Sequence, residues 1–149
     1  MTPHQAPVPA TPLWIGAGSL LPFVLLTGAL FIVPEAYRPM LHEWLRSWSA
    51  VVLTFVGALH WGIAMLHRDM RERDRNTAMT WSVVPAVVAW ICLLLPQRTG
   101  LLLIGAMFVV HFSMDLALVK RFSVTDWYLR FRAGTTVVAV VCMALACLR

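Results

Sequence analysis

Five long apolar runs constrain this sequence more than any other feature. Each approaches the roughly 20 residues that cross a hydrocarbon core of about 30 Å as an α-helix. Hydrophobic residues make up 60% of the 149 residues and charged residues 13%, whereas an ordinary soluble domain has roughly 45–50% and about 25%. We therefore predict an all-α integral membrane protein with one five-helix transmembrane domain at residues 13–148. The predicted spans are 13–33, 49–67, 77–95, 101–119 and 133–148.

The basic residues predict how these spans are oriented. They lie in short connections rather than along a soluble face, so the net charge of +5 indicates membrane topology and not nucleic-acid binding. The positive-inside rule then places the N-terminus in the cytoplasm and the C-terminus outside. One side carries Arg68, Arg71, Arg73, Arg75, Lys120, Arg121, Arg130 and Arg132, and the other Arg38, Arg46, Arg98 and Arg149.

The segments that precede the first and the fifth predicted spans have distinct compositions. Residues 1–12 contain four prolines and are predicted to form a disordered tail. The connection before the fifth span combines basic residues with Trp127 and Tyr128, which is typical of an interfacial anchor. Three cysteines in apolar surroundings give no disulfide framework.

His60 and Trp61 interrupt the second apolar run, in the segment F-V-G-A-L-H-W-G at residues 55–62. Gly57, His60 and Ala64 are spaced by three and four residues and share a helical face. Small residues on such a face indicate close helix packing, so His60 is predicted to point into the protein. Ionisable residues within membrane spans are costly and often mark a functional site.

Spans three and four carry further polar groups. Pro85 should kink the third span, and Ser82 can satisfy part of the freed backbone. His111 and Asp115 lie four residues apart on span four, and we predict that the carboxylate hydrogen-bonds and orients the imidazole. The long side chain of Arg132 can reach back to Asp115.

Counting about 1.5 Å of rise per residue places these groups in one layer of the cytoplasmic half of the bundle. We predict a cavity there that binds or passes a small lipophilic or redox-active ligand, quinone-like or porphyrin-like. The histidines would hydrogen-bond the ligand, and the tryptophans would stack on it. The predicted lining residues are His60, Trp61, Trp81, Ser82, His111, Asp115 and Arg132.

Other interpretations of this layer remain open. It can be a structural polar network inside an accessory or assembly subunit of a membrane complex, such as a respiratory complex, or in a homo-oligomer. It can also be the relay of a proton or small-solute transporter. His60 and His111 could ligate a bis-imidazole haem, and with Asp115 they could supply the three protein ligands of a catalytic zinc. No catalytic residue is predicted, and the partners expected are the bilayer, a lipophilic ligand or another membrane protein.

Three segments of the chain carry a further signal: F-V-G-A-L-H-W-G at 55–62, W-S-V-V-P-A-V-V-A-W at 81–90 and W-Y-L-R-F-R-A-G-T-T at 127–136. Together they resemble the transmembrane protein 69-like family, also known as domain of unknown function 3429. The resemblance covers roughly residues 13–148 and implies a small multi-span protein of bacterial inner membranes, with relatives assigned to mitochondria. It implies no established activity and therefore no catalytic residue.

Overall fold

Five helices long and apolar enough to cross a membrane make up the fold. The computed structural model describes residues 8–121 and 126–149, and within these ranges it contains helices and no strands. The all-α, five-span prediction is therefore confirmed. The elements are α1 (Ala10–Ile32), a short 3-10 turn (Glu35–Tyr37), α2 (Arg38–Leu66), α3 (Glu72–Leu93), α4 (Gln97–Arg121) and α5 (Asp126–Ala146).

All five helices begin earlier than the predicted spans, and α1, α2 and α5 show this most clearly. Helix α1 starts at Ala10, inside the segment predicted to be a tail, and residues 1–7 of that segment lie outside the described residues. Helix α2 starts at Arg38 because Pro39 is tolerated in a first turn, and Leu41 and Leu45 already pack against the core. Helix α5 starts at Asp126, which places the predicted interfacial anchor inside the helix.

Helix α2 is the centre of the bundle and contacts each of the other four helices. Helix α1 packs against α2 and α5, and α3 packs against α2 and α4. The sequence of α1 contains no charged residue. It is tied to its neighbours by the Trp48 indole N–H, which donates to the Ser19 carbonyl oxygen at 3.0 Å, and by the Thr27 hydroxyl, 3.3 Å from the Cys142 carbonyl oxygen.

Helices α2 and α3 approach closely where Gly57 faces Pro85. A Cβ atom on Gly57 would lie 2.9 Å from Pro85 Cγ and 3.0 Å from the Ser82 carbonyl oxygen, so only glycine fits without displacement. This contact confirms the tight face predicted from the spacing of small residues. Helix α3 runs through Pro85 without interruption.

A buried arginine joins the same two helices at the opposite end of the bundle. Arg46, 7% exposed, donates from Nη1 to the Leu95 carbonyl oxygen just beyond α3, at 2.6 Å. Its Nη2 pairs with Glu43 at 2.7 Å. A cation at the carboxyl end of a helix also interacts favourably with the helix dipole, so this contact locks α2 against α3.

Candidate functional site

A buried carboxylate organises the end of the bundle at which α2, α4 and the N-terminus of α5 meet. Asp115 is fully buried, and its Oδ2 accepts a hydrogen bond from Arg132 Nε at 3.0 Å. Its Oδ1 lies 2.9 Å from His60 Nε2 and accepts from the Tyr128 hydroxyl at 3.1 Å. The predicted contact between Arg132 and Asp115 is confirmed. We call these four residues, together with His111, the Asp115 cluster.

Charge and hydrogen bonding fix the proton on His60. Arg132 is 4% exposed and His60 is 1% exposed, so neither is solvated by bulk water. An ionised carboxylate beside a guanidinium can only accept hydrogen bonds. His60 therefore carries its proton on Nε2 and donates it to Asp115. Its other nitrogen, Nδ1, finds no hydrogen-bond partner within the part of the chain that is described.

The prediction that Asp115 orients His111 is wrong. His111 Nδ1 accepts from the Trp81 indole N–H at 3.0 Å, and the two rings are parallel to within 3°. Because Nδ1 is an acceptor, Nε2 carries the proton and donates to the Val56 carbonyl oxygen at 3.2 Å. A spacing of four residues permits contact on a helix, but here Asp115 turns toward α2 and α5. His111 instead joins α3 and α2.

The two histidines lie at the same depth, as their count along the helices predicted. Their ring centroids are 4.8 Å apart and the rings are tilted by 45°. A haem would need its iron and macrocycle between the imidazoles, with a metal–nitrogen bond of about 2 Å on each side. The packed rings leave no such gap, so this arrangement does not fit a bis-imidazole haem.

A zinc site also fits this arrangement poorly. Potential ligand atoms of His60, His111 and Asp115 do lie within 4.8 Å of one another. Both nitrogens of His111, however, are already hydrogen-bonded, and the Asp115 carboxylate is shared by a guanidinium, an imidazole and a phenol. A metal would have to displace these contacts, so no mechanistic role is assigned to one.

Two residues predicted to line the site lie away from it. Trp61 is 46% exposed and faces outward. Neighbouring residues on an α-helix point about 100° apart, so Trp61 cannot share the inward face of His60. Ser82 is buried, but its hydroxyl donates to the Met79 carbonyl oxygen of its own helix at 2.6 Å. The structure thus brings together His60, Trp81, His111, Asp115 and Arg132.

Tyr128 belongs to the cluster and was missed as a site residue. Its sequence context of basic and aromatic side chains is typical of an interface. The available signal was its spacing from Arg132 and Thr136, since residues four apart share a helical face. Because α5 begins at Asp126, this face is helical from its first turn and points toward Asp115.

An apolar cavity of about 550 Å³ lies beside the cluster, between α1, α2 and α5. Aromatic side chains wall it, among them Trp48, Trp127 and Phe131. Tyr128 and Arg132 border the same cavity, and Arg132 Nη2 is buried with no acceptor among the described residues. Of the seven residues predicted to line a cavity, Arg132 alone borders this one. We call it the α1–α2–α5 cavity.

A second cavity, of about 250 Å³, lies on the other side of the cluster. Helices α2, α3 and α4 form it, and we call it the α2–α3–α4 cavity. His60 borders it together with Asp74 and Thr77 from the start of α3, and Ala117 from α4. Members of the Asp115 cluster therefore border both an apolar cavity and a smaller one whose lining includes Asp74.

Five apolar helices around a buried, charged, hydrogen-bonded cluster define a multi-pass α-helical membrane protein. The chain belongs to the family described as protein of unknown function, DUF3429, whose model matches residues 8–148. This confirms the resemblance found in the sequence.

One curated protein is similar to most of this chain. The chain is 33% identical over 140 residues to Transmembrane protein 69 of Xenopus tropicalis, a match that covers 91% of this chain and 52% of that protein. The chain thus spans about half the length of the curated relative it matches. No solved structure matches the chain.

Proposed function

We propose that this protein binds a small, neutral, lipophilic molecule in the α1–α2–α5 cavity. The observation that carries the proposal is a cavity of about 550 Å³ with apolar walls, bordered by Arg132, whose buried Nη2 has no acceptor among the described residues. Binding sites for small molecules are commonly apolar pockets with a few convergent polar groups. A hydrogen-bond acceptor on the ligand would satisfy this donor, which otherwise remains buried at a cost.

The charges of the cluster favour a neutral ligand. Arg132 is already neutralised by Asp115 at 3.0 Å. A carboxylate or phosphate in the cavity would therefore bring a buried charge without a counter-charge, which is strongly unfavourable. A carbonyl oxygen can accept from Arg132 Nη2 without that cost.

The aromatic walls favour a flat ring attached to the acceptor. Trp48, Trp127 and Phe131 border the cavity and offer faces for stacking. A quinone combines such a ring with carbonyl acceptors and an apolar tail. A porphyrin with ionised propionates is a poorer match to the neutral cluster.

Tryptophan fluorescence can test this proposal in lipid nanodiscs. Decylubiquinone should quench the emission saturably, because Trp48 and Trp127 border the cavity. Leu20→Phe narrows the cavity and should weaken binding by about tenfold or more. Leu21→Phe is the matched control, since Leu21 is 59% exposed and faces away from the cavity. Decanoate, a lipophilic anion, should not compete.

Two results would count against this function. Quenching that rises linearly with quinone and is equal in both leucine variants would indicate partition into lipid alone. Effective competition by decanoate would contradict the argument from charge. Mass spectrometry of the lipid extract from gently purified protein would identify the natural occupant.

We also propose that the chain resides in a bacterial inner membrane with its N-terminus in the cytoplasm. The orientation is supported by the excess of basic residues in the connections that lie on the same side as the N-terminus, and the bacterial inner membrane is what the family resemblance implies. Arg132 and Arg46 are buried, one from each side, so removing both from the count leaves the excess in place. Fusions of a fluorescent protein and of alkaline phosphatase to the C-terminus would test the orientation: the phosphatase alone should be active.

A further inference from the structure

A third cavity, of about 300 Å³, lies at the end of the bundle opposite the Asp115 cluster. Three arginines line it, Arg38, Arg98 and Arg149, together with one carboxylate, that of Glu35. We propose that this cavity, which we call the arginine cavity, binds a phosphate group, either in a phospholipid headgroup or free in solution. The proposal goes beyond the neutral ligand of the α1–α2–α5 cavity, because the two cavities share no lining residue.

The ends of three helices bring the arginines together. Arg38 is the first residue of α2, Arg98 is the second residue of α4, and Arg149 follows the end of α5. The charges of Arg38 and Arg98 both act on the imidazole of His42, which also lines the cavity. Like charges repel one another, so an anion bound among these arginines would relieve their repulsion.

Only part of this positive charge is compensated. Glu35 accepts a hydrogen bond from Arg38 Nη1 at 3.2 Å, but its side chain is 86% exposed, and exposed ion pairs stabilise little. Arg38 Nε is buried and has no acceptor among the described residues. Within the same part of the chain, neither Arg98 nor Arg149 forms an ion pair. The lining side chains thus carry three cations and one weakly held carboxylate.

The position of Arg98 is a separate argument for an anion. It lies in the first turn of α4, a turn that contains no acidic residue. The amino end of a helix carries a partial positive charge, so a cation at this point is unfavourable. An anion at the same point interacts favourably with the guanidinium and with the helix dipole. Arg98 is therefore expected to contribute to binding and not to the stability of the free protein.

Arg149 retains donors for a ligand. Its guanidinium carbon lies 4.8 Å from the centroid of the Phe31 ring, a cation–π contact that supplies no hydrogen-bond acceptor. Arginine N–H groups match the geometry of phosphate oxygens and often bind them through two parallel hydrogen bonds. A phosphate has several acceptor oxygens, so one group can contact more than one of these arginines.

The size and the surroundings of the arginine cavity favour a phosphate that belongs to a lipid. Its volume is at the lower end of the roughly 300–1,000 Å³ typical of small-molecule sites, which suits a headgroup better than a whole lipid. The cavity lies where membrane-spanning helices end, at the depth of the headgroups that flank a hydrocarbon core of about 30 Å. Large apolar side chains exposed at this end offer a surface for acyl chains: Ile32, Leu94 and Leu148.

Two binding measurements distinguish the sources of the phosphate. Native mass spectrometry of the full chain, released from detergent micelles, would measure the binding of added lipid. Phosphatidylglycerol should bind at least about tenfold more tightly than phosphatidylcholine, whose headgroup brings a cation of its own. Isothermal titration calorimetry would test inorganic phosphate. Binding of inorganic phosphate would show that the free anion is sufficient, whereas binding of phosphatidylglycerol alone would assign the cavity to a lipid headgroup.

The Arg98→Gln variant separates a binding role from a structural one. It should weaken the binding of phosphatidylglycerol by about tenfold, because one charged donor is lost. Arg68→Gln is the matched control, since it removes the same charge from an exposed position at the opposite end of α2 and should leave binding unchanged. Without added lipid, Arg98→Gln should not lower the midpoint of thermal unfolding. A purely structural arginine would lower that midpoint and leave binding unaltered.

A second variant keeps the test decisive if Arg98→Gln fails to fold. Arg149 is exposed and lies beyond α5, and Arg149→Gln should also weaken binding by about tenfold. Equal binding in Arg98→Gln and Arg68→Gln, or in Arg149→Gln and Arg68→Gln where Arg98→Gln does not fold, would overturn the proposal. Equal binding of the two lipids, with no binding of inorganic phosphate, would overturn it as well. No quinone enters these measurements, so their outcome is independent of the function proposed for the α1–α2–α5 cavity.

Discussion

The replacement of Asp115 by asparagine should be among the most destabilising single changes in this protein. Asparagine has nearly the same shape, but it removes the negative charge that compensates Arg132, and it presents an amide N–H₂ group toward donors. Three donors converge on the carboxylate at 2.9, 3.0 and 3.1 Å. Removing one partner of a buried ion pair costs about 3–5 kcal/mol, and we expect a loss in this range.

A double substitution isolates the ion pair from other effects. Arg132→Met alone should also destabilise, because it leaves the carboxylate buried without its cation. In Asp115→Asn/Arg132→Met neither charge remains, so the combined loss should fall below the sum of the two single losses by about 2 kcal/mol or more. The free energy of unfolding would be measured by reversible titration with sodium dodecyl sulfate in mixed micelles, followed by far-ultraviolet circular dichroism.

Additivity would refute this reasoning. If the two single losses summed in the double variant, the pair would not be coupled. A loss below about 1 kcal/mol for Asp115→Asn would indicate a solvated pair of the kind found on protein surfaces, contrary to its complete burial.

The same assay checks two further substitutions. Gly57→Ala should cost about 1–3 kcal/mol, because its Cβ would lie 2.9 Å from Pro85 Cγ, whereas Gly62→Ala, with nothing within 4 Å of the new Cβ, should not destabilise. Trp81→Phe should cost about 1–3 kcal/mol, because it leaves a buried imidazole nitrogen without its donor; Trp61→Phe, at an exposed position, should change stability by about 0.5 kcal/mol or less. Equal losses within either pair would contradict the assigned packing.

The helices could be predicted from the sequence because the length of an apolar run and the thickness of a bilayer are directly related. The proximity of His60, His111, Asp115 and Arg132 could also be predicted from the sequence, since the rise per residue of a helix converts sequence position into depth. Depth does not determine the direction of a side chain around the helix axis. Pairing within the cluster therefore differed from the prediction: Asp115 binds His60 and not His111.

The aromatic residues show a second limit of sequence reasoning. Trp61 follows His60 in the chain, but one residue further along a helix is a turn of about 100°, which carries it to the outer surface. The residues around Tyr128 have the composition of an interfacial anchor. Because α5 already begins at Asp126, Tyr128 lies on a helical face that points toward Asp115. The α1–α2–α5 cavity depends on how α1 packs against α2 and α5, and no local sequence pattern specifies that packing.

Helix α1 contains no charged residue and is held to the bundle by different contacts from the other four helices. The cluster and Trp81 bind α2, α3, α4 and α5 into a frame through charged and hydrogen-bonded contacts, whereas α1 rests on that frame through apolar packing and hydrogen bonds to two carbonyl oxygens. In a bilayer, lipid tails can replace apolar contacts at little cost. Displacement of α1 would therefore open the α1–α2–α5 cavity to the bilayer, and the ligand proposed above would enter from the lipid without first passing through water.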